Sequence, residues 1–498
     1  MTESSDRPGA APDESHRDLD RKILRGSAWV GVGYGGKQVL QFASMLALVR
    51  LVDPSAFGLM ALAWTVLFVI DAIQESGVGS AFVYRRDDIE CAAASAAVFA
   101  TLSGLGLAVG CFLAAPLAAH LFHAPKLTDV LRVLSLMLVI RGASVVPAAI
   151  LERELDFRRR AGAELLATVV QVPVSVGLAV AGAGVWALVA GPLASSLTAT
   201  VMYWRLVPWR PSPRLANWKV LRELFGYGRF VTLSNLLVVA NNTIDNIIVG
   251  RLLGTTQLGF YSVTFRLATL PDDVIGYIVG RVMFPVYSRL QDDRPTFSRV
   301  YLENLQRIAL LALPVSVALI VAAEPIVLGL LGERWRAVVT PLRILGVYAL
   351  VRAFAAPSSE VFKGAGRPHL VPVFLVPALL LAIPSLFVLV PRFGLNGAAL
   401  AMLTTVCVVG VAMFTTTMRL LDVRLRTLTR ALRPSFLCAG ILAAALAAVL
   451  PVASSLPPVA GLALVVAVGT IAYLASTVVF ARSVVGPWWS TFRRVETS

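Results

Sequence analysis

The chain has 498 residues, of which 57% are apolar and only 15% charged, and its mean hydropathy is +0.77. About 284 apolar positions supply roughly 14 spans of about 20 residues, which excludes an ordinary soluble enzyme and a single-span receptor. The net charge of +15 does not require a nucleic-acid partner, because most cations sit in short gaps between apolar runs, where orientation in a bilayer accounts for them.

In chain order, residues 1–24 are rich in Ser, Asp, Glu, Pro and Arg and predict a disordered cytoplasmic tail. Apolar runs of spanning length follow at about 27–49, 57–73, 92–119, 130–150, 161–181, 185–203 and 230–249. Seven more fall at about 259–279, 308–331, 337–356, 371–389, 395–418, 434–453 and 459–481. The fold class expected is an all-α polytopic membrane protein with about 14 transmembrane helices. Its expected parts are an N-terminal six-helix lobe over 25–209, a cytoplasmic linker over 210–222, a C-terminal six-helix lobe over 223–420, and two peripheral helices with a short tail over 421–498. With the tail in the cytoplasm, the loops on that side carry 21 Lys or Arg residues, among them the groups at 153–160 and 205–222, against 6 on the other side. That asymmetry predicts an even number of spans and two cytoplasmic termini.

The ends of the first and seventh runs share a register. VRLVDPSAFGLM at 49–60 aligns with GRLLGTTQLGFY at 250–261, pairing Arg50 with Arg251, Leu51 with Leu252 and Gly58 with Gly259 at a constant offset of 201. Two lobes of the same direction follow, and parallel repeats with a site between them are a transporter design. The four cysteines and four histidines lack ligand spacing, so no metal is expected. No P-loop, GxSxG or outside domain for acidic catalytic residues is present, and no cofactor is expected.

Polar residues inside apolar runs are costly and face a partner or a water-filled path. In the first run Tyr34, Lys37 or Gln38, Gln41 and Ser44 share a helix face. Ser234, Asn241 and Asp245 do so in the seventh, and Arg266, Asp273 and Tyr277 in the eighth. Arg141 and Arg352 are further deep cations. Each of these admits two readings, a cavity wall or an ion pair joining helices.

Specific strings complete the picture: LVDPSAFGLMALAW (51–64), GAGVWALV (182–189), NNTIDNIIVGRLLGTTQLGFYSVTFRLATLP (241–271), RVMFPVYSRLQDD (281–293), EPIVLGLLGERW (324–335) and GAGRP (364–368). Together these resemble the bacterial polysaccharide-transporter family, the Wzx-type lipid-linked oligosaccharide flippases of the multidrug/oligosaccharidyl-lipid/polysaccharide exporter superfamily. The resemblance runs from about Arg25 to Leu420. It implies two six-helix lobes in a V with two peripheral helices, alternating access, and a bacterial cytoplasmic-membrane location. It also implies a polyprenyl-diphosphate-linked oligosaccharide as substrate, with membrane lipids, a polysaccharide polymerase and assembly proteins as partners. Under that substrate Lys37, Arg266, Arg141, Arg352, Gln41 and Asn241 are the expected binding residues, and Asp245 and Asp273 the candidates for ion coupling. The competing functions are a drug or small-cation exporter, which calls for a cavity lined by carboxylates and aromatic rings, and a membrane glycosyltransferase or polymerase, which calls for an outside domain.

Overall fold

A computed structural model describes residues 35–74, 82, 88–154, 156–210 and 215–480; the side chains at 218–219, 221–234 and 272–282 are outside the description. The expected tail at 1–24, Tyr34 and the last residues 481–498 therefore lie outside the described residues, as do the side chains of Ser234, Asp273 and Tyr277.

Among the described residues the chain is helical, and eleven segments are long and apolar enough to cross a membrane. We number the helices α1 (35–51), α2 (Pro54–Gln74), α3 (Ile89–Leu121), α4 (Leu127–Leu134), α5 (Leu136–Arg153), α6 (Phe157–Val180) and α7 (Val185–Leu206). The second half contains α8 (Trp218–Arg289), α9 (Arg294–Val321), α10 (Val339–Ala355), α11 (Pro357–Gly364), α12 (Leu370–Leu420), α13 (Leu425–Ser455) and α14 (Pro458–Phe480). Local chemistry fixes several starts. The Asp156 carboxylate accepts from the N–H of Arg159 (3.1 Å) at the head of α6, and Asp293 accepts from the N–H of Thr296 (3.2 Å) at the head of α9.

Two helices fold back on themselves. Gly254 in α8 has φ 79° and Gly394 in α12 has φ 58°, a region open to glycine at no steric cost. Across Gly254 the Tyr261 hydroxyl donates to Asp245 (2.7 Å), although sixteen residues of straight helix would separate them by about 24 Å. Each of these long helices is therefore a hairpin of two legs.

The outward surface is that of a membrane protein. Leu117 on α3 is 73% exposed and Ile471 on α14 is 68% exposed, within apolar faces too extensive for water. Helices α13 and α14 pair with each other and lean on α9 and the segment 323–331. Among the described residues, the main helix contacts of both are with each other and with these segments of the second half.

The two halves meet along α2 and α8, an extensive helix pairing among the described residues. A Cβ placed on Gly58 would collide with the carbonyl of Thr255, and one placed on Gly259 with the carbonyl of Pro54. Both relations preserve the offset of 201. The contact is thus pseudo-twofold: each half presents the same small residue to the same carbonyl of the other, as in a self-complementary dimer interface. The aligned arginines behave likewise. Arg50 donates from Nε to the carbonyl of Leu330 (3.0 Å) and from Nη2 to that of Gly329, in the second half, while Arg251 donates to Nδ1 of His123 (2.9 Å), in the first. Buried Trp335 completes this end, donating to the Val49 carbonyl (3.2 Å) and packing edge-on against Phe57 and Phe260.

Candidate functional site

Beneath that closed end lies a cavity of about 990 Å³, lined by α1, α2, α5, α6, α7 and both legs of α8. Helix α2 contributes along its whole length because positions 57, 60, 61, 64, 65, 68, 71 and 74 repeat at three- and four-residue steps and so share one face. Helices α1 and α2 are antiparallel, joined by a two-residue turn, so Lys37 and Asp71 belong to one end of the cavity and Leu48 and Phe57 to the other.

Among the described residues four cations reach the lining, Lys37, Arg141, Arg160 and Arg266, against two carboxylates, Asp71 and Glu164. The pairs are uneven. Arg141 bonds Asp71 directly. Glu164 is shared: Lys37 Nζ and Arg160 Nε each stand 3.5 Å from it, and the Tyr203 hydroxyl donates to it at the same distance. Arg160 also holds Glu152 at 2.8 Å. The half-exposed pairs at 3.5 Å contribute only about 0–1 kcal/mol each, so Lys37 is held loosely enough to exchange partners.

The structure brings Lys37, Gln41, Arg141 and Arg266 to this one cavity. Asn241 is not on the wall; the side chains that line it from the first leg of α8 are Asn242, Thr243 and Asn246, one position around the helix. Asp245 is also off the wall, sealed in the core against Tyr261 and the N–H of Asn246. Arg352 lies on α10, which contributes nothing to the lining. Arg160, which sequence reading assigned to a loop, and Glu164, which fell unremarked inside the run at 161–181, are additions. Their signal is nonetheless present: Arg160, Glu164, Thr168, Gln171 and Ser175 recur at three- and four-residue steps, one polar stripe through an apolar helix. Among the described residues no three of His, Cys, Asp and Glu gather into a metal-holding group.

A family model described as "Polysaccharide biosynthesis protein" matches residues 47–340, more than half of the chain. The chain belongs to that family. It is 28% identical to the succinoglycan biosynthesis transport protein ExoT of Rhizobium meliloti (strain 1021), over 70% of each chain. It is 22% identical to the lipopolysaccharide biosynthesis protein WzxC of Escherichia coli (strain K12), over 77% of this chain and 78% of that one. Among solved structures it is similar to the lipid II flippase MurJ in an inward closed conformation, with a TM-score of 0.73, 13% identity, and coverage of 92% of this chain and 99% of that one. This member of the polysaccharide biosynthesis family is thus an all-helical, multi-span membrane protein.

Proposed function

We propose that the protein is a flippase that carries a polyprenyl-diphosphate-linked oligosaccharide from the cytoplasmic to the outer leaflet by alternating access, as a secondary transporter and not an enzyme. The observation that carries this reading is the cavity's excess of two cations over carboxylates. A diphosphate is a compact polyanion, and Lys and Arg bond it more strongly than neutral donors do. The relatives named as succinoglycan transport and lipopolysaccharide biosynthesis proteins support the glycan class, and the MurJ likeness supports the fold.

In this reading the chain spans a bacterial cytoplasmic membrane fourteen times, as two six-helix lobes and two peripheral helices, with both termini inside. The Gly58–Gly259 crossing then lies on the outer side, and the conformation described is closed there. Opening outward separates Arg50 from residues 329–330 and Arg251 from His123, while the diphosphate leaves Lys37 and Arg160. Asp245, in its seal with Tyr261, and Asp273 are the carboxylates proposed for ion coupling. A polymerase and assembly proteins are the proposed receivers of the flipped lipid.

The charge also discriminates against export of drug-like cations, which a net positive wall repels. The test is translocation of a fluorescent lipid-diphosphate sugar in proteoliposomes holding this protein alone. The expected result is loss of the probe from the loaded leaflet. Transport of an organic cation with no movement of the lipid-linked sugar overturns the reading.

A further inference from the structure

The cavity has a feature that phosphate binding leaves unused. Trp64 and Phe68, one turn apart on the cavity face of α2, stack on each other with ring centroids 5.4 Å apart and planes 22° from parallel. Trp64 packs by one side against the core, and Phe68 is 43% exposed although it belongs to a wall that is otherwise polar at that end. Phe68, exposed in the same cavity as Lys37, Asp71 and Glu164, gains nothing from those charged groups, since apolar surface is stabilised by leaving water and they keep the space wet. Another part of the wall is of the opposite kind. Gln41 on α1, Gln171 on α6, and Ser195 and Ser196 on α7 line the same cavity, and none of these four makes a side-chain hydrogen bond among the described residues. They are neighbours in register: Gln171 continues the stripe Arg160, Glu164, Thr168, and Ser196 lies two turns from Tyr203, which bonds Glu164.

A flat aromatic surface on one side and unpaired amides and hydroxyls on another describe one ligand chemistry. A pyranose ring shows an apolar C–H face and a rim of hydroxyls. The face stacks on an aromatic ring by dispersion, and the rim needs partners that both donate and accept, as Gln and Ser do. An isoprenoid tail has no use for the amides, and a phosphate has no use for the rings. We infer that Trp64 and Phe68 form a sugar-stacking platform for the glycan nearest the diphosphate, its hydroxyl rim read by Gln41, Gln171, Ser195 and Ser196. This rests on the flippase reading and adds to it a site that discriminates among glycans. Phe68 and Lys37 occupy the same end of the cavity, and Trp64 lies one turn further from that end, about 6 Å along the helix. That step suits a first sugar beside the phosphates and a second stacked after it.

The experiment compares two probes on the purified full chain in nanodiscs: a polyprenyl diphosphate without sugar, and the same lipid diphosphate carrying a glucose/galactose oligosaccharide. Wild-type protein is expected to bind the glycosylated lipid more tightly. Trp64→Leu is expected to weaken the glycosylated probe by about tenfold and leave the bare probe unchanged, with Trp64→Tyr restoring it. Gln171→Leu, on the opposite wall, gives the same selective loss without touching the aromatic pair, and so decides the matter if Trp64→Leu fails to fold. Equal loss for both probes, or no loss for either, overturns the platform. The flippase reading is judged separately, by whether wild type binds the bare lipid diphosphate and loses it on Lys37→Gln. Wild-type protein that binds the bare probe but gains nothing from the glycan leaves the diphosphate site standing and removes the sugar site. Failure to bind either probe removes both.

Discussion

Glu164 is the residue on which the charge of the cavity turns. It sits 3.5 Å from both Lys37 and Arg160 and holds them in the absence of a phosphate. Because those pairs are long and partly solvated, Glu164→Gln is expected to move the unfolding midpoint by less than about 1 kcal/mol in stability. The same change frees Lys37 and leaves Arg160 with Glu152 alone, and binding of a bare polyprenyl diphosphate is expected to tighten several-fold. Lys37→Gln acts in the other direction: membrane insertion and folding persist, and export in a complementation assay is lost. Export at wild-type level in Lys37→Gln and Arg266→Gln singly removes the cationic site. A residue outside the spans sets a pH dependence. Bonding from the Thr296 side chain and its N–H holds the Asp293 carboxyl below the usual carboxylate range. The folded-state value is depressed, so the stabilisation is complete above the ordinary range and is lost as pH falls through the lowered value. The deficit in thermal stability of Asp293→Ala is therefore expected to be largest at neutral pH and to shrink in acid, as read by melting curves.

Among the helices, α2 has two jobs on two faces. One face lines the cavity from Phe57 to Gln74, and its Gly58 meets α8 so closely that a methyl group has no room. Overpacking at such a point costs about 1–3 kcal/mol, and that cost falls only on conformations in which the two halves touch there. Gly58→Val and Gly259→Val are therefore expected to shift the population toward the conformation open at that end rather than to unfold the chain. Spin labels at Leu51 and Leu252, the exposed neighbours of Arg50 and Arg251, in a background without native cysteines, read this as a lengthened distance. An unchanged distribution in both variants shows that the crossing does not control the closure.

For the whole molecule, rocking of the two halves predicts that the Leu51–Leu252 distance is bimodal in wild-type protein and responds to lipid-linked sugar or an ion gradient. Exchange on microsecond-to-millisecond or slower timescales lets frozen samples hold both populations. A single narrow distance under all conditions, with transport intact, assigns access to a local gate instead. Orientation is tested by cysteine-accessibility labelling, which is expected to place the loops at 153–160 and 205–222 in the cytoplasm.

The sequence by itself determined the all-helical membrane class, because the cost of leaving a backbone polar group unpaired in lipid admits few other solutions for so apolar a chain. It also carried the offset of 201, since a close helix crossing leaves its glycine in the same place in both copies, and it carried the stripe Lys37, Gln41 and Ser44, since a helix face follows from period alone. What period cannot give is the rotation of a helix about its own axis once neighbours press on it. In α8 the hairpin at Gly254 turns Asp245 inward to Tyr261, and the wall falls to Asn242 and Asn246 rather than to Asn241. The same limit hid the site's other members. Arg160 read as the charged end of a loop, and Glu164 passed as part of an apolar run, until α6 stood beside Lys37; Trp64 and Phe68 read as apolar span until the cavity left Phe68 uncovered. Which residues share a helix face is local geometry. Which face meets the cavity was decided by packing among α1, α2, α6, α7 and α8, through contacts between residues more than a hundred positions apart, such as Lys37 with Glu164, that no local pattern encodes.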